Sequence, residues 1–171
     1  DFAHGAEHVV FCTVSEITAR ECESLLGSTV DVVTPNGFED DFVWNGREFD
    51  EKRAEARRAM IRTAEATLSC KFDGEPLIVG TSGRYEFRNK GIDIFLDALK
   101  QLAETDALDR EVLVYITVPS ATTGPRKDLQ AHLADENSPI DPKQNRFCTH
   151  YLEHPEWDQI LNSIAGSVLA N

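Results

Sequence analysis

Cations are scarce in this chain of 171 residues: 17 lysines and arginines stand against 30 aspartates and glutamates, a formal net charge of -13. A nucleic-acid binder needs a dense cationic footprint, so nucleic acid is excluded as the main partner. Long hydrophobic runs are missing too. No apolar stretch approaches the roughly 18 residues that a membrane span requires, and no secretory leader is legible. There are four cysteines (Cys12, Cys22, Cys70 and Cys148), none in CxxC spacing. They sit in apolar or helical patterns, which points to structural thiols in a reducing cytoplasm rather than a disulfide frame or a zinc site. The histidines His4, His8, His132 and His154 are scattered without metal-ligand spacing. His150 lies beside Cys148, but Cys/His nucleophilic catalysis needs an orienting third group and an oxyanion site, and neither is visible. The chain opens on Asp1 rather than methionine, which reads as an excised segment.

What is present is an ordinary globular composition, 41% hydrophobic and 27% charged, long enough to bury a core as one domain or a piece of a larger protein. Strand and helix signals alternate. His8–Val14 is β-branched and apolar, as a buried parallel strand should be. Ile17–Leu26 has helical periodicity and ends at Gly27, a good C-cap. Val30–Val33 predicts a second strand, closed by the turn residues Thr34-Pro35-Asn36-Gly37. Asp50–Leu68 predicts a charged helix with ion pairs along it. A strand at Leu77–Val79, a helix to about Glu104 and a strand at Glu111–Val118 follow. Residues 120–145 are polar and turn-rich, with a weak helix at Leu129–Leu133, and read as an insertion or mobile loop. A strand at Arg146–Tyr151 leads into a helix from about Glu156 to Leu169. The alternation implies an α/β fold, a parallel sheet with helices on both faces.

The densest chemical signal is Gly83-Arg84-Tyr85-Glu86-Phe87-Arg88-Asn89-Lys90-Gly91. It joins a predicted strand to a predicted helix, the place where open α/β sheets receive anionic ligands. Arg84 supplies a planar fork for phosphate oxygens and Lys90 a point charge six residues on. The spacing suits a diphosphate. Each residue also has a plainer role. Arg84 can pair with Glu86, Lys90 and Arg88 can be solvated, Asn89 can cap the following helix, and Asn36-Gly37 can be a left-handed turn before any ligand contact.

Those residues carry a family resemblance. Gly83 to Leu99 is close to the GRYE(F/Y)xNKGxDxFxEAL signature of glycogen synthases of the animal and fungal type. Phe11–Thr18, Glu21, Leu25-Leu26 and Val33–Phe38 resemble that family's interdomain segment, and Val114–Ala121 its following strand. Cys148-Thr149-His150, Asp158, Ile160 and Leu161 resemble a later segment, with Tyr151 where the family has asparagine. The resemblance implies a retaining glucosyltransferase of two Rossmann-like domains, the GT-B architecture, with no metal and no cofactor. The donor would be a nucleotide diphosphate glucose (UDP- or ADP-glucose) and the acceptor an α-1,4-glucan. Residues 1–37 would end the N-terminal domain and make the crossing, and residues 38–171 would begin the C-terminal nucleotide-binding domain.

In that picture Arg84 and Lys90 bind the donor diphosphate, with Gly83, Asn89 and Asn36 as secondary contacts. The family's glycine-rich donor loop and its acidic EPWGYTPAE motif have no counterpart here. The catalytic carboxylates therefore fall outside the chain, which alone should not catalyse transfer. The reduced 120–145 segment suggests a bacterial relative, and a homo-oligomer stays open. So do two other readings: an inert binding or assembly module, and a sugar-nucleotide-binding α/β protein of another class.

Overall fold

The computed structural model describes residues 6–105 and 107–170; His4 and Asp1, singled out above, lie outside them. The chain divides into two units, one up to Phe49 and one from Asp50.

In the first unit, β1 (Cys12–Thr13) pairs in parallel with β2 (Val32–Val33), Cys12 opposite Val32 and Thr13 opposite Val33. Between them runs α1 (Glu16–Leu26). Ser15 begins this helix because its extended backbone lets Oγ accept the Thr18 amide at 3.1 Å. Gly27 ends it in the left-handed conformation, φ 67°, its amide on the Glu23 carbonyl. The expected buried strand at His8–Val14 is corrected: only two residues pair, and Val9, Val10 and Val14 are exposed. A strand with one short neighbour has nothing to bury its alternate face against. The left-handed turn expected at Asn36-Gly37 does not form either, since neither residue takes a positive φ. The Thr34 amide bonds the Thr13 carbonyl at 2.7 Å, prolonging the ladder, and Pro35 favours extended backbone before it.

The second unit holds most of α2 (Gly46–Leu68) and then β3 (Leu77–Ser82), α3 (Ile92–Ala103) and β4 (Val112–Thr117). β3 and β4 pair in parallel over six positions, from Leu77 opposite Val112 to Ser82 opposite Thr117. Ile92, Leu96, Phe95 and Leu99 recur at helical spacing, so α3 offers one apolar face. Ile92 and Leu96 are buried with Ile164, and Ile116, Val118, Tyr85 and Phe87 pack against that cluster. Successive strand residues point to opposite faces. Tyr115, next to Ile116, sends its hydroxyl the other way, to the Met60 carbonyl of α2 at 2.7 Å. The β3–β4 pair thus carries α3 on one face and α2 on the other.

Ion pairs were expected along α2, and Lys52 pairs with Glu55 at 3.2 Å, one turn apart. In addition Arg57 reaches Glu75 at 2.9 Å and Arg62 reaches the Leu133 carbonyl and Glu136. These two arginines tie the helix to distant loops.

The largest departure lies in 120–145. It contains β5 (Thr122–Pro125) and α4 (Lys127–Ala134), and β5 runs antiparallel to β6 (His150–Leu152). The described residues therefore form three two-stranded sheets, two parallel and one antiparallel. The organiser is Arg126, 1% exposed. Its guanidinium grips Asp128 at 3.1 and 2.6 Å and donates to the Asn145 and Cys148 carbonyls at 3.0 and 3.1 Å. Asp128 also accepts the Asp141 amide at 3.0 Å. One buried cation thus fastens both ends of a loop that composition alone reads as loose. The final helix is broken as well: a 3-10 turn at Pro155–Trp157, α5 (Gln159–Ile164), and a second 3-10 turn at Val168–Ala170, separated by Gly166 at φ 69°.

Candidate functional site

β3 ends at Ser82, and Gly83 leaves the sheet at φ 155°, its amide still bonded to the Thr117 carbonyl of β4. From there side chains alternate. Tyr85 and Phe87 turn inward onto the α3 cluster, whereas Arg84 and Arg88 stay exposed. The alternation makes the turn a small rigid platform: aromatic anchors below, cations above.

Tyr85 fixes it further. Its hydroxyl accepts the Ile160 amide at 3.1 Å. Burial, opposed by that bond and reinforced by Asp158, pushes the phenol up to about 12. It is therefore a neutral positioning group at any physiological pH.

Arg84 is 77% exposed and pairs with Glu86 at 3.3 Å. Lys90 and Arg88 are exposed, and among the described residues neither has an ion pair or side-chain hydrogen bond. Asn89 does not cap α3; its amide reaches Glu86 at 3.5 Å. The cap is Gly91, left-handed at φ 66°, a conformation that favours glycine. The amides that a strand–turn–helix passage usually offers to an anion are taken. Ile92 and Asp93 donate to the Phe87 carbonyl and Ile94 to the Asp93 carboxylate. Any anion held here would be held by side-chain cations rather than by the helix end.

Asn36, in the first unit, is exposed. Cys148 and His150 make no catalytic pair: burial pushes the thiol up to about 11, and His150 bonds Thr149 Oγ1 through Nδ1 at 3.0 Å. Sequence reasoning missed Tyr85 as an anchor and Arg126 as a clasp. An arginine two positions from Asp128, after Gly124-Pro125, is a signal that a local pair is being built, but its burial depends on carbonyls some 20 residues on.

The glycogen synthase family model matches residues 2–131, a span that includes β3, the cation-bearing turn and α3. The chain belongs to the glycogen synthase family. Among its relatives is the glycogen (starch) synthase of Neurospora crassa, 35% identical over 127 residues, which is 71% of this chain and 18% of that protein. The Dictyostelium discoideum glycogen (starch) synthase is 36% identical over 124 residues, 68% of this chain and 14% of that one. The human liver glycogen (starch) synthase is 40% identical over 119 residues, covering 66% and 17%. The chain thus spans less than a fifth of the length of the curated relatives it matches. The family resemblance of the GRYEF turn is borne out, and the turn lies wholly within the matched span.

Proposed function

We propose that this chain is a segment of a glycogen synthase-like glucosyltransferase. The parent enzyme moves glucose from a nucleotide diphosphate glucose to the non-reducing end of an α-1,4-glucan. This piece supplies Arg84 and Lys90 to the donor diphosphate, with Gly83 and Asn89 as secondary contacts. The observation that carries the reading is the pair of exposed cations at the carboxyl end of parallel strand β3, held out by the half-buried Tyr85 and Phe87. Ligands of open α/β sheets sit at such strand ends. The leaving diphosphate gains charge as the glycosidic bond breaks, and fixed cations stabilise that charge. Glu86 is the residue to displace: an exposed pair such as Arg84–Glu86 is worth about 0–1 kcal/mol, little enough for a diphosphate to outbid.

In this reading β3–α3–β4 belongs to a Rossmann-like domain of a cytoplasmic GT-B enzyme, and residues 1–37 lead into it from the domain before. A second reading, an assembly module without chemistry, is favoured by the first unit, where Leu25 is 82% and Phe38 77% exposed.

The two part in one experiment. Titrating UDP, ADP and pyrophosphate into the isotopically labelled chain should shift the amides of residues 83–91. Arg84→Ala with Lys90→Ala should abolish those shifts while the rest of the spectrum stays in place. Silence at these amides, or shifts indifferent to the double substitution, would overturn the donor assignment in favour of the assembly module.

A further inference from the structure

A second site candidate lies where no motif pointed. Trp157 is 72% exposed, yet it is not loose. Its ring stacks on His154, centroids 4.6 Å apart and planes 24° from parallel, so one indole face is backed and the other open. Pro155 starts the 3-10 turn that presents it. The Trp157 amide bonds the His154 carbonyl, and Asn162 bonds the Glu156 carbonyl. Such an aromatic, already ordered, costs little entropy to engage. The ring borders a cleft of about 270 Å³ that Ser120, Tyr85, Asp158 and Gln159 also line. Among the described residues the side chains of Ser120 and Gln159 have no hydrogen-bond partner, so both are available to a ligand.

An open aromatic face beside a few polar groups suits a ring with an apolar face and hydroxyl edges. The C–H groups of a pyranose lie on the electron-rich indole face, and its hydroxyls meet the amide, hydroxyl and carboxylate around it. Charge separates this from the other flat ligand at hand. Asp158 lines the cleft and Glu156 lies 3.6 Å from the His154 ring, carboxylates that repel a nucleoside diphosphate but can accept hydrogen bonds from the hydroxyls of a neutral sugar. Tyr85 lines this cleft and follows Arg84 in the chain, placing the cleft next to the cation-bearing turn.

We propose that Trp157, backed by His154, is a stacking subsite for a glucose ring of the α-glucan acceptor. The identity of the sugar rests on the glucosyltransferase reading above; the platform itself does not. The test is a titration of maltoheptaose into the chain, following the two indole N–H signals, Trp44 and Trp157. The Trp157 signal should move and saturate while Trp44 stays still. Trp157→Ala should weaken binding by about tenfold or more, roughly the loss of one good contact, and Trp157→Phe should keep most of it. The indole is exposed, and an unchanged amide spectrum of the alanine variant establishes that its fold is intact. UDP should move residues 83–91 and leave the Trp157 indole alone.

A still indole at millimolar maltoheptaose, undiminished binding by the alanine variant, an equal response to β-linked cellohexaose, or an indole that answers UDP instead would each overturn the proposal. Glucan binding at Trp157 with no response at residues 83–91 would sink the donor assignment alone.

Discussion

Two arginines of this chain show how differently one side chain can be employed. Arg84 stands 77% exposed at the end of β3 with a single partner, Glu86, 3.3 Å away. Arg126 stands 1% exposed with a carboxylate fork on one side and two backbone carbonyls on the other. The difference lies in what the surrounding chain returns to them. Around Arg126 the segment near residues 145–148 comes back with its carbonyls pointing inward, so the guanidinium is fully spent on structure. Around Arg84 the neighbouring aromatics take the interior, and the cation is left over. A cation left over is what a ligand site requires.

The sharpest way to break this contrast is to remove Arg126. Arg126→Met leaves the largely covered Asp128 and two backbone carbonyls without their partner and should cost about 3 kcal/mol by urea denaturation. Amide exchange should accelerate first over residues 137–149. A loss as small as that at an exposed arginine would erase the distinction.

Acid provides the next measure. The Arg126 guanidinium lowers the Asp128 carboxyl from the ordinary 3.8 to about 2. On lowering the pH the unfolded chain takes up this proton first. The stabilisation is therefore complete above about pH 4 and disappears as pH falls toward 2, about 2 kcal/mol in all. Denaturation midpoints measured across that window should slope in the parent and lose this component in Asp128→Asn. The smallest effect belongs to Arg84→Ala, which should change stability by less than about 1 kcal/mol because its pair is solvated. A larger loss in the same denaturation series would recast Arg84 as a structural residue.

Much of this was legible beforehand. α1 with its glycine cap, the β3–α3–β4 passage and the cation-bearing turn follow from periodicity, a capping residue and a motif, all local signals. The errors have a common cause in long-range closure. His8–Val14 reads as a buried strand because β-branched residues favour sheets, but burial needs a second layer, and the strand has one two-residue neighbour. The 120–145 segment reads as mobile because its residues are polar. Its order comes from Arg126 meeting carbonyls 19 and 22 residues away, which no window of sequence displays. Asn89 reads as a cap, but the turn goes on to Gly91, whose left-handed backbone starts the helix with no side-chain bond.

The bond from the Ile160 amide to the Tyr85 hydroxyl joins positions 75 apart. Closing so long a loop carries an entropic cost that grows with its length and delays folding. Ile160 belongs to α5, so the signature turn has this anchor only while α5 is docked beside it. The Ile160 proton is in turn a remote gauge of the turn: its exchange with solvent should slow only when the tyrosine of the motif is seated. A single amide at the far end of the chain would then report whether the cations at the strand end are set for use.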